Sequence, residues 1–137
     1  MGLVAKAAVG VGMLLGLMAL FGCKDDIGNP KGSTVVFPDS NVSYTQHVQP
    51  LFYQSCNFAG CHDDSQPPSR LKLTTYYNLM YPETGHIVVE RGRPDQSILV
   101  LRIEGLLGER MPSKGDTLNS NQINGIRRWI LEGAKNN

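Results

Sequence analysis

Hydrophobic and polar positions along the chain change period several times, and each change marks an element. Ala7 to Phe21 is a near-continuous apolar run, too short and too weakly flanked for a membrane-spanning helix. Residues 24–41 show little periodicity and carry Gly28, Pro30, Gly32, Ser33, Pro38 and Asp39, the composition of a tether. Tyr44, Val48, Leu51 and Phe52 then share one helical face. Ser43 precedes them as an N-cap, with Gln46 in the capping-box position. Pro50 cannot donate to a helix ladder, which predicts a kink or a fresh start near Gln49. Leu71, Leu73, Tyr76, Tyr77, Leu79 and Met80 predict a short helix over about 74–80. Ile87-Val88-Val89 reads as a brief extended run. Pro94 suits a first helical position, and Ile98, Leu99, Leu101, Arg102 and Ile103 continue a helix that Gly105 and Gly108 end. The last helix is the clearest. Ile123, Ile126, Trp129 and Ile130 repeat at helical spacing, with Arg127, Arg128 and Glu132 on the other side. Asn119 is its N-cap, Gln122 its third residue and Gly133 its stop. With minimal strand signal and no internal repeat, the pattern predicts an all-α fold of short helices and long loops.

Composition narrows the function classes. The chain has 137 residues, enough for one small domain, with 13 Lys+Arg against 12 Asp+Glu. No basic field points to nucleic acid. Aromatics make up 7% of residues, a thin supply for a core built from side chains alone.

The apolar run near the start follows Lys6 and ends in Leu20-Phe21-Gly22-Cys23. This resembles a bacterial lipobox, which implies a signal peptide over 1–22, cleavage before Cys23 and lipidation of that thiol. The alternative is a plain N-terminal anchor with an incidental cysteine. Several acyl chains at roughly 0.8 kcal/mol per buried CH₂ would hold the protein to a bilayer. Lys24-Asp25-Asp26 resembles a surface-export tag of some lipoproteins, or is ordinary solvated linker. The expected organisation is therefore a leader over 1–22, a flexible tether over 23–41 and one domain over 42–137, outside the cytoplasm. Removing Lys6 with the leader leaves 12 basic side chains against 12 acidic ones, so any electrostatic steering is local.

Assigning Cys23 to lipid leaves Cys56 and Cys61 as a pair, and His62 follows the second directly. Cys-His is the second half of the c-type haem attachment signature, in which two cysteines bond to the haem vinyl groups and the histidine ligates iron. The usual spacing puts two residues between the cysteines. Here there are Asn57, Phe58, Ala59 and Gly60.

From Val42 to about Lys135 the chain resembles small class I-like c-type cytochrome domains of bacterial surface and periplasmic proteins. The resemblance rests on Val48-Gln49-Pro50-Leu51-Phe52, Gly60-Cys61-His62-Asp63, Leu73 with Tyr76 to Met80, and Gly92 with Pro94 to Leu99. It continues in Arg110-Met111-Pro112 and in Leu118, Gln122-Ile123 and Trp129 to Ala134. It implies a cytochrome c fold around one covalent haem c, with Cys56 and Cys61 attached to the ring and His62 and Met111 as axial ligands. It also implies that the first and last helices cross beside the haem. Phe52 and Trp129 are the large apolar residues available for that contact, and Gly125 would allow close approach. Tyr76 and Tyr77 would pack on the haem or bond a propionate.

The expected function is electron carriage by a membrane-anchored monohaem cytochrome between a redox donor and acceptor protein. With both axial positions filled the protein is not an enzyme. His/Met ligation raises the potential. The alternatives are a haem enzyme or sensor with an open iron position, and a haem-free interaction module with a Cys56–Cys61 disulfide. Residue by residue, Met111 as a core methionine and His47, His86 or Met80 as competing ligands stand as alternatives.

Overall fold

The first helix opens with a widened turn, and Pro50 supplies the physical reason. In the computed structural model, which describes residues 33–65, 67 and 69–137, a π-helical turn over Tyr44–Val48 runs into an α-helix, α1, over Gln49–Ser55. Proline has no N–H, and its ring crowds the carbonyl four residues earlier. Looser bonding absorbs both effects: Val48 N–H reaches back five residues to Ser43 O at 3.3 Å, and Gln49 N–H bonds Tyr44 O. The expected restart near Gln49 therefore occurs as a change of helix type. Ser43 caps it through Oγ, which accepts from Gln46 N–H at 3.2 Å. The return bond expected of Gln46 comes instead from His47, whose Nδ1 accepts from Ser43 N–H at 3.1 Å.

Three further α-helices follow: α2 over Tyr76–Met80, α3 over Ile98–Glu104 and α4 over Ser120–Leu131. Pro94 begins a separate 3-10 turn, Pro94–Gln96. It stays separate because Ser97 is extended there and wholly buried, its Oγ donating to Arg93 O at 3.0 Å and accepting from Glu90 N–H at 2.9 Å. Ile87-Val88-Val89 pairs with no strand. Val88 O accepts from Leu99 N–H instead, so this extended run buttresses α3. The domain is small and all-helical, with four short α-helices and no strand among the described residues.

Trp129 of α4 is 1% exposed, and its Nε1–H donates to Lys135 O at 2.9 Å. The rings around it are Tyr44, with centroids 5.7 Å apart, and Tyr76, at 6.5 Å and edge-on. Phe52 is also buried, but the aromatic cluster on Trp129 is built by the two tyrosines. The chain closes over it. Asn137 O accepts from Thr45 N–H and Ser43 Oγ, its side chain accepts from Tyr44 N–H, and Tyr76 Oη donates to Ala134 O.

The described end of the expected tether, residues 33–41, is packed against the helices. Phe37 is 3% exposed and sits over Gly125 of α4, where any Cβ would fall inside its ring. Asn121 clamps the same residue, accepting from Phe37 N–H at 2.8 Å and donating to Phe37 O at 3.0 Å. Gln54 of α1 accepts from Ser33 Oγ and Thr34 N–H, and Glu132 accepts from Asn41 and Val42 N–H. Gly125 thus makes room for an aromatic side chain of the preceding segment. The leader, Cys23 and residues 23–32 of the expected tether lie outside the described residues.

Candidate functional site

The Cys56–His62 loop leaves α1 at its C-cap. Cys56 and Asn57 N–H both donate to Phe52 O, at 2.8 and 2.9 Å. Residues 58–61 fold into a turn closed by Cys61 N–H to Phe58 O at 2.8 Å. Gly60 occupies its third position at φ +77°, the conformation that a type II turn reserves for glycine. His62 N–H then returns to Cys56 O at 3.2 Å, bringing both thiol-bearing residues and the histidine into one ring of backbone. The widened spacing is taken up locally.

Residues 71–73 line the other side of this loop. Leu73 N–H donates to His62 O at 2.9 Å, and Asn57 Nδ2 donates to Leu73 O at 3.1 Å. Between them, His62 Nδ1 lies 2.9 Å from Leu71 O. A carbonyl oxygen only accepts, so this contact requires the proton on Nδ1. In the neutral ring that leaves the Nε2 lone pair free. A backbone carbonyl on the second ring nitrogen is the usual way a metal-bound imidazole is oriented.

Cys56 and Cys61 are both free thiols. Burial, with a smaller contribution from Cys61 nearby, pushes the Cys56 thiol up to about 12. At neutral pH it is a neutral thiol, which is a poor nucleophile and a poor ligand for a metal ion. Among the described residues no three His, Cys, Asp or Glu side chains converge as an ion site. Among the described residues, the enclosed side-chain atoms without a protein partner are Asn57 Oδ1 in this loop, Asp63 Oδ1 directly after it, and Tyr44 Oη. Incomplete polar pairing concentrated at one loop is a common mark of a functional site.

Met111 stands on a second loop, after α3. It is partly buried against the core, as are Cys56, Leu71 and Met80. Its N–H donates to Arg102 O at 2.9 Å, and Arg110 Nε donates to Ile103 O. These contacts bind the loop to α3, and the Cys-His loop is bound to α1 and residues 71–73. Each loop leaves apolar side chains at the surface: Phe58 on the first, Leu106 and Leu107 on the second.

Of the competing ligands, His47 uses Nδ1 as an acceptor, which puts its proton on Nε2, and its ring faces Phe37 at 5.8 Å. His86 is exposed in a turn whose N–H bonds Thr84 Oγ1. Met80 lies within α2. Tyr76 spends its hydroxyl on Ala134 O and accepts from Arg91, while Tyr77 is exposed against Tyr81. The carbonyl of Leu71 carried no signal in the sequence, because any residue supplies one. A groove of about 470 Å³ is lined by Pro38, Asn121, Gly125, Arg127 and Arg128 and includes no residue of the Cys-His loop.

No protein-family model, no curated protein and no solved structure matches this chain.

Proposed function

We propose that this chain is a monohaem c-type cytochrome of class I-like fold. In this reading it is a lipid-anchored protein outside the cytoplasm that carries single electrons between a donor and an acceptor protein. One observation carries the reading: His62 Nδ1 is held by Leu71 O, which leaves Nε2 free, on a loop that gathers two unpaired thiols. The partial burial of Cys56 and Met111 against the same core supports it.

Bound haem c supplies a one-electron iron couple. The chain's residues do the rest. Cys56 and Cys61 would hold the ring through thioether bonds, after which neither sulfur carries an ionisable proton. His62 would present Nε2 to the metal, its plane set by Leu71 O and its backbone by Leu73. Met111 would present a neutral thioether, a soft ligand that favours the reduced metal. If His62 and Met111 both hold the metal, no position would be left for a substrate, which favours carriage over catalysis.

The test is a haem stain of the mature protein on a denaturing gel, with its visible spectrum. One covalent haem per chain is expected, absent from the Cys56→Ala/Cys61→Ala variant; an unstained wild-type protein overturns the reading. The oxidised protein should show the weak near-infrared sulfur-to-iron band. Met111→Ala should abolish the band, lower the potential and admit carbon monoxide or cyanide, with the haem still attached. A variant unchanged in all three makes Met111 a packing residue.

A further inference from the structure

The Met111 loop is gripped from two directions by one residue. Arg102, in the last turn of α3, offers its carbonyl to Met111 N–H at 2.9 Å and to Gly105 N–H at 3.2 Å. Its guanidinium folds along the loop and donates through Nη1 to Leu107 O at 2.8 Å and Glu109 O at 3.3 Å. The main chain of Arg102 therefore fixes Met111 directly, and its side chain fixes the residues that lead to Met111. The loop is shaped to receive it. Gly108 is at φ +63°, and a Cβ there would lie 2.5 Å from Arg102 Nη1, so a side chain at 108 and the guanidinium cannot share the space. These bonds end on carbonyls, join a charged donor and sit on an α-helix C-terminus, where a cation is favoured.

We propose that Arg102 is a positioning residue for Met111, holding the loop closed so that the thioether stays on the iron. The proposal rests on the haem reading above. It says that closure depends on a side chain nine residues before the ligand, outside the Arg110-Met111-Pro112 motif. A thioether is a weak ligand whose occupancy depends on how far its loop opens. Freeing the Leu107 and Glu109 carbonyls makes opening easier without touching Cys56, Cys61 or His62.

The experiment is cyanide binding to the oxidised holoprotein, followed beside the near-infrared sulfur-to-iron band. Arg102→Gln keeps the helix and the backbone carbonyl but loses the charged fork. Cyanide binding should be roughly ten- to a hundredfold faster, and the band should melt out at a lower temperature than the helical signal. Arg102→Lys, which keeps the charge as a single point donor, should fall between Gln and wild type. Gly108→Ala should reproduce the Arg102→Gln result by displacing the guanidinium from the loop side. Gly115→Ala is the control: φ there is +82°, with nothing within 4 Å of the added Cβ, so it strains the same loop without touching Arg102. Unchanged cyanide binding in Arg102→Gln overturns the proposal, as does an equal effect from Gly108→Ala and Gly115→Ala. A wild-type protein without covalent haem overturns the haem reading instead, so the two failures are distinct.

Discussion

His47 and His62 use the same ring nitrogen in opposite ways. Nδ1 of His47 accepts a backbone N–H, whereas Nδ1 of His62 faces a carbonyl and must donate. The first ring is thereby a helix cap, and the second is left with a free lone pair on Nε2. Residue type does not separate them, because each role is set by the backbone group opposite. Tyr44 is the residue-scale counterexample, a buried group that gains nothing from its polarity. Its hydroxyl has no protein partner, and burial, followed by Tyr53 and Tyr76, holds its pKa well above that of a free phenol. Its ring packs on Trp129 and Tyr76. Tyr44→Phe keeps the ring and removes the unsatisfied oxygen, so stability should stay level or rise by up to about 1 kcal/mol. Thermal melting checks this; a loss of more than about 1 kcal/mol would mean that the hydroxyl has a partner.

The elements are held by their ends more than by their lengths. In α4 the capping box forms as its residues predict: Asn119 Oδ1 accepts from Gln122 N–H, and Gln122 Oε1 accepts from Asn119 N–H, both at 3.0 Å. Gln122 is buried and also donates to Ser33 O at 2.8 Å, so one side chain caps a helix and fastens the segment before α1. Arg127 links α4 to Asp95 and to Glu104 of α3, ion pairs exposed enough to add little stability. The close approach at Gly125 carries a clear sign. Ala is the better helix former by about 1 kcal/mol, but its methyl would fall inside the Phe37 ring. Gly125→Ala should therefore destabilise by about 1–3 kcal/mol, read from the urea midpoint. In a Phe37→Ala background the loss should shrink, because the ring is gone and only the residue 37 Cβ, 2.4 Å from the added methyl, still crowds it. Equal losses in both backgrounds would sink this account. The periodicity of α4 is readable in the sequence, but the ring that fills its notch comes from a segment whose composition reads as tether.

At the scale of the molecule, two loops at the edges of one core supply the proposed ligands. Residues 134–137 fold back over Tyr44 and Tyr76 to close the core. Balanced charge gives no basic surface for a membrane, so the proposed membrane attachment rests on lipid alone. That expectation belongs to Cys23. Cys23→Ser should abolish labelling by fatty acid and either release the protein from membrane fractions or leave it unprocessed. Continued labelling and normal processing of that variant would remove the lipoprotein reading. The sequence by itself determined the all-helical class, the start and stop of α4 and the break at Pro50, and it singled out the seven-residue Cys-His loop, because these rest on local spacing, caps and missing donors. Only the tertiary structure decided that Tyr44 and Tyr76 enclose Trp129, that Phe37 fills the notch at Gly125, that Leu71 O orients His62 and that Arg102 holds the Met111 loop. Each of these joins residues distant in the chain or uses a backbone atom or a side-chain direction, and neither leaves a mark in the pattern of residue types.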